Sequence, residues 1–331
     1  MKMKTLKYLL VAAVLPLMMT SCWDEPEQDI NDPIVAGIWL YNAAVVQSTY
    51  TLDPAAIAFR LNCLLTDKQL QGVDRLLDVK TEAEVSEMKF LFGEMTRIEE
   101  NYNGVAGDYR ISFDFTGDKG QSDRPRGGSV IISTGNKLLH EGMWIIENDR
   151  NSPLSYQATT SEQVMVESID EYTIAPRAAD NGLTSFVVGV KGFGCRSHLG
   201  NYTSSWTGEY SITPQFVIDP ENKKVLSMAE ARKATYAVSF AIQGPTFAVL
   251  DGKYQTGIRY YTIEDNIYKP ACSMSNGMVY RASGEEFAEL IGSYDKEAFP
   301  SSFVVVKYTP AGTECGKVNA TITYNGENRV Q

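Results

Sequence analysis

From Tyr109 onward the chain is written in period two: Tyr109, Ile111, Phe113 and Phe115 alternate with Arg110, Ser112, Asp114 and Thr116. Successive side chains of a strand point to opposite faces, so this pattern predicts a strand with one buried and one wet face. Runs of the same kind follow at 129–133, 142–147, 164–169, 184–191, 209–218, 236–243, 246–250, 256–263, 278–282, 303–308 and 317–324, separated by Gly, Pro, Asn and Asp. Most of them alternate instead of being apolar throughout. That predicts antiparallel pairing and argues against a doubly wound parallel sheet.

Before Tyr109 the signals are helical. Asp53-Pro54 reads as a helix cap followed by proline at the first helical position, with Ile57, Leu61, Leu64 and Leu65 on one face. Thr66 with Gln69 has capping-box spacing ahead of Leu70, Val73 and Leu77. Thr81 with Glu84 has it ahead of Val85, Met88, Phe92, Met95 and Ile98, and Asn103-Gly104 ends that helix. Residues 53–103 are therefore expected to be mostly helical. Ile34 to Leu52 carries no charge, yet it holds Asn42, Gln47, Ser48, Thr49 and Thr51, so a buried core element is expected there and not a membrane span. Ser227 with Glu230 and Ser283 with Glu286 predict two short helices inserted among the strands. The expected fold class is α+β: a short N-terminal helical region (34–105) followed by a mainly antiparallel β region (106–331), sandwich or barrel-like. No Pro-rich or Ser-rich linker separates the two regions, so they are expected to pack together.

The first residues carry an address. Lys2, Lys4 and Lys7 precede an apolar run from Tyr8 to Met19, too short to span a bilayer, so residues 1–21 read as an export signal. Met19-Thr20-Ser21-Cys22 resembles the lipobox of bacterial lipoproteins, in which the Cys is acylated and becomes the new N-terminus. The resemblance makes Cys22 the lipid attachment site and the membrane a partner through its anchor. Residues 22–33 then form an acidic, proline-punctuated tether. Trp23 stands where an Asp would retain such a protein in the inner membrane, which implies the outer membrane. The acidic residues that follow resemble the surface-export signal of Bacteroidetes lipoproteins, which implies the cell surface; a charged linker facing the periplasm is the alternative. The resemblance is confined to the first 33 residues and assigns no family to the folded part.

Chemistry is sparse in what remains. Lys and Arg number 30 against 41 Asp and Glu, a net charge of −11, which excludes nucleic acid as an expected partner. Two His and five Cys leave little for metal chemistry, and no nucleophile elbow, Walker loop, zincin motif or full calcium loop occurs. Cys195, Arg196, Ser197 and His198 bring a thiol, a cation and an imidazole together beside a Gly-rich stretch. A base three residues from a thiol in one turn seldom faces it, so a packed or disulfide-linked Cys is expected. His140 reads as an ordinary strand-end residue. With Cys22 acylated, Cys63, Cys195, Cys272 and Cys315 permit up to two disulfides in three connectivities; zero or one is expected, with Cys272 to Cys315 the pair if one forms. No catalytic residue, metal ligand or cofactor is assigned.

Aromatic residues give the positive signal. Tyr202, Trp206 and Tyr210 cluster in one Ser- and Gly-rich stretch, and Tyr254, Tyr260, Tyr261 and Tyr268 crowd another. Trp206 is flanked by Ser204-Ser205 and Thr207-Gly208, residues whose size and polarity predict an indole at the surface. Tyr202, Trp206 and Tyr210 are therefore candidate contacts for a glycan or protein ligand, against the competing reading that strands favour Tyr and Trp for packing. The expected function is a noncatalytic binding or assembly component. The alternative is a polysaccharide hydrolase using paired carboxylates, which leave no local sequence signature.

Overall fold

The computed structural model describes residues 34–71, 96–115, 125–157, 163–178, 184–198, 202–214, 218–219, 224–225, 236–241, 246–250, 254–270, 279–297, 299–311 and 318–330. One long helix, α1 (Ile34–Gln71), comes first. The strands β1 (Arg97–Glu100), β2 (Asp108–Phe113), β3 (Arg126–Ser133), β4 (Trp144–Asn148), β5 (Ser155–Gln157) and β6 (Gln163–Ser168) follow, with a 3-10 turn at Tyr102–Gly104. Next come β7 (Glu171–Ala178), β8 (Thr184–Ser197), β9 (Tyr202–Pro214), β10 (Ile218–Asp219), β11 (Lys224–Val225) and β12 (Tyr236–Ala241). The last are β13 (Thr246–Leu250), β14 (Tyr254–Pro270), β15 (Val279–Ile291), β16 (Phe303–Pro310), β17 (Val318–Tyr324) and β18 (Glu327–Val330).

Sixteen strands form one sheet in the order β1-β2-β3-β4-β7-β8-β9-β12-β14-β15-β16-β17-β18, with β5, β6 and β13 paired alongside; β10 and β11 form a separate pair. Its ladders are antiparallel, as alternating runs require. The protein is thus mostly antiparallel β. The two edges, β1 and β18, are four residues long each and carry Arg97, Glu99, Glu100, Glu327 and Arg329, the short charged kind that resists pairing with another chain.

The sheet curls around α1. Every residue from Tyr50 to Asn62 is buried, so more than three turns of helix have no face toward water. The anchors come from strands far apart in the sheet. Tyr41 bonds Glu286 of β15, Thr51 takes hydroxyls from β7 and β9, Asp53 pairs with Arg126 of β3, and Asn62 accepts the Leu139 N–H. An enclosed helix cannot be amphipathic, which explains the uncharged stretch from Ile34 to Leu52: it is the first half of α1. No helix among the described residues is long and apolar enough to cross a membrane.

Several local expectations are corrected here. Asp53 does not cap a helix, because α1 runs through Asp53 and Pro54, and the carboxylate is claimed by a tertiary partner. Proline in a helix interior removes one ladder donor and crowds the preceding turn. Beside it, the Tyr172 hydroxyl accepts the Ala55 N–H at 3.1 Å and donates to the Thr51 carbonyl at 2.8 Å, bridging a pair of groups four residues apart in the helix. Tyr210 donates to the same carbonyl. Thr66 and Leu70 continue α1 and open no new helix. Ile98 is buried on strand β1, not on a helix, while Thr81 to Met95, and with them Phe92, lie outside the described residues. Ser283 and Glu286 lie on β15; Ser227 and Glu230 lie outside the described residues, as do Cys22, its tether, Cys272 and Cys315.

Candidate functional site

The expected surface cluster on β9 is inside. Trp206 and Tyr210 are each 1% exposed, with Trp206 opposite Phe193 in the ladder and its ring 6.2 Å from that of Tyr260. On β9 the even positions Ser204, Trp206, Tyr210 and Ile212 face the core, while Thr203, Ser205, Thr207 and Glu209 face water. The polar residues flanking Trp206 belong largely to the other face of the strand, so they say nothing about where the indole lies. Tyr202 opens β9, and its side chain is not described. Period two also separates Cys195 from His198. The thiol is buried and free on β8, where burial pushes its pKa up, whereas His198 is exposed and its Nδ1 accepts the Gln163 N–H. No nucleophile and base meet there. His140 lies in the loop between β3 and β4.

Two sealed polar centres hold α1. At the first, Arg126 donates through Nε and Nη2 to Asp53 at 2.9 and 2.7 Å, with both side chains fully buried. The Tyr156 hydroxyl donates to the same carboxylate at 3.0 Å, Tyr50 stacks on Tyr156, and the guanidinium lies over the Phe113 ring. Burial, and then the Asp53 charge, raise the Tyr156 pKa well above its ordinary value. At the second, the Glu286 carboxylate accepts from Tyr41 at 3.0 Å, from Tyr308 at 3.4 Å and from the Asn266 amide. Gly284 makes room for that amide: its φ is +138°, and an added Cβ would clash with the Asn266 side-chain oxygen and lie 2.8 Å from the Asn266 Cα. Gly284→Ala is expected to cost on the order of 1–3 kcal/mol in denaturant unfolding, by strain at this φ together with the displaced amide.

A third carboxylate, Asp149, ties β2, β3 and the following loop. Burial pushes its pKa up, but hydrogen bonds from Ser129, Arg110 and the Asn151 N–H outweigh it and hold the group below the usual carboxylate range. A lowered folded pKa contributes stability that is present above the unfolded value and is lost as pH falls through the folded one. Asp149→Asn is accordingly expected to destabilise at neutral pH, on the order of 1–3 kcal/mol, with the gap to the wild type closing as melts are repeated below about pH 4.

The outer face of β14, β15 and β16 differs from the rest of the described surface. Tyr261, Phe287 and Phe303 form a ladder of stacked rings, with centroids 4.7 and 5.5 Å apart and planes inclined by 28° and 17°. Phe303 is 43% exposed, and Ile263, two residues on from Tyr261 along β14, is 50% exposed. One flank is the Arg259–Glu289 pair at 3.4 Å; the other is Lys307, 3.2 Å from Glu285 and 3.9 Å from Glu264. The hydrogen bond to Glu285, and after it the charges of Glu264 and Glu285, raise the Lys307 pKa. An apolar centre with a charged rim is the anatomy of a contact surface. The sequence singled out Tyr261 but neither Phe287 nor Phe303, since the ladder exists only through the pairing of Tyr261 with Phe287 and the packing of Phe303 beside it.

Among the described residues, no group of three or more His, Cys, Asp or Glu is placed to hold a metal ion. No protein-family model matches the chain, and neither the curated proteins nor the solved structures contain a significant match to it.

Proposed function

We propose that the chain is an extracytoplasmic lipoprotein, acylated at Cys22, anchored in the outer membrane and displayed at the cell surface, and that it works as a noncatalytic binding or assembly component for a glycan or protein. The membrane part rests on the basic, apolar and small-residue order of positions 2–22. The binding part rests on one observation above all. The interior of the curled sheet is filled by α1, so a ligand contact falls to the outside, where Phe303 is exposed and Tyr261 and Phe287 are half-buried beside it.

The hydrolase alternative has less support. Such chemistry needs two carboxylates facing a substrate-sized space. Asp53 and Glu286 are sealed by tertiary hydrogen bonds, and Glu264 and Glu285 lie on an open sheet face with Lys307 beside both. Two measurements test the proposal. Cys22→Ala is expected to move the protein from the membrane pellet to the soluble fraction, and persistence in the pellet would overturn the anchor. Phe303→Ala is expected to leave the melting temperature nearly unchanged while reducing crosslinking of the protein to its neighbours in intact cells. Unchanged crosslinking would remove the ladder as the contact surface.

A further inference from the structure

We infer that the partner on the β14–β16 face is a second copy of this chain, docked face to face about a two-fold axis that runs along β15. The inference rests on the reading of this face as a contact surface and adds what covers it. The rings themselves argue against a sugar. A saccharide stacks on an open aromatic face, but Phe287 is sandwiched between Tyr261 and Phe303, so what the ladder presents outward is largely ring edges, with Ile263 and Val305 beside them. A flat apolar strip of this kind suits another flat sheet, at the roughly 10 Å spacing of packed sheets.

The register shows that the face is complementary to itself. Arg259, Glu289 and Phe303 lie in one row across the three strands. Tyr261, Phe287 and Val305 make the next row, and Glu264, Glu285 and Lys307 the third. A two-fold axis along β15 exchanges β14 of one copy with β16 of the other and leaves each row in place. Phe287 then meets its own copy on the axis, and Tyr261 meets Val305. Arg259 falls opposite the exposed Phe303, where its hydrocarbon stem can pack, and Lys307 falls opposite Glu264, the most exposed carboxylate of the three rows. Glu285 and Glu289 also lie on the axis and face their copies. These two like-charged meetings oppose the contact, and each is offset by a cation of the same copy, Lys307 at 3.2 Å from Glu285 and Arg259 at 3.4 Å from Glu289. With 41 acidic against 30 basic residues, two copies repel at long range whatever their orientation, so only a locally complementary face can hold them together.

The test uses the full chain extracted from membranes in a mild detergent. Sedimentation is expected to give twice the chain mass for the wild type and the single-chain mass for Phe287→Glu. Phe287 is half buried and its replacement could unfold the sheet, so charge reversal supplies a second arm. Glu264→Lys alone, at an exposed position, should weaken the dimer at least tenfold, and adding Lys307→Glu to the same chain should restore it, with thermal melts of all variants alike. In intact cells Glu289→Cys, placed on the axis, should give a crosslinked dimer with a short bismaleimide where the wild type gives none. A wild type that sediments as a single chain overturns the inference. So does Glu289→Cys that crosslinks only to chains of other mass, an outcome that leaves the face standing as a contact surface. A variant with no adduct of any kind overturns both.

Discussion

Arg126→Met is expected to destabilise the protein by about 3–5 kcal/mol in equilibrium unfolding, the cost of leaving a buried carboxylate without its cation. Asp53 and Arg126 are both fully buried and joined by two hydrogen bonds, and a neutral donor such as the Tyr156 hydroxyl cannot replace the lost cation. The magnitude comes from the unpaired ion and not from the pair itself, because the desolvation of two charges offsets much of their attraction. The double variant Asp53→Leu with Arg126→Met should consequently recover a large part of the loss. If Arg126→Met alone costs less than about 1 kcal/mol, the pair is not sealed from water as the structure has it.

Trp206→Ala is expected to cost about 3–5 kcal/mol, by loss of packing and the cavity left behind. The flanking serines predicted a surface indole, whose removal would barely change a thermal melt. At 1% exposure, against Phe193 and Tyr260, the side chain belongs to the core. Its Nε1 has no hydrogen-bond partner among the described residues, so the contribution is packing, and Trp206→Phe should be much milder than Trp206→Ala. Near-wild-type stability of Trp206→Ala would return the residue to the surface and reopen its role in ligand contact.

What could be read from the sequence was whatever is local. The alternation from Tyr109 to Phe113 is a property of neighbours along one strand, and β2 follows it. The start of β15 falls in the run at 278–282, but its continuation from Ser283 is hidden: the inward positions Gly284, Glu286 and Ala288 are small or acidic, while Phe287 faces out, so the usual hydrophobic signal is inverted. Ser283 and Glu286 have the spacing of a helix cap, but Glu286 is taken up by distant partners, among them Tyr41, 245 residues away. Asp53-Pro54 misleads likewise, since the arginine that claims the carboxylate lies 73 residues downstream. The contact face was least legible of all. Tyr261, Phe287 and Phe303 are unremarkable singly and become a surface only once strand register sets them side by side.

The enclosure of α1 also fixes an order of events. The helix leaves the ribosome before any strand, yet the last of its walls, β15 to β17, is made more than two hundred residues later, as the Tyr41 to Glu286 bond records. Until then an apolar helix too weakly held to persist alone must wait, and closing loops of that length makes assembly slow. On the proposed export route such a chain would cross a membrane with its future core unprotected, and would depend on being held unfolded in transit more than a protein whose helices dress the outside of its sheet.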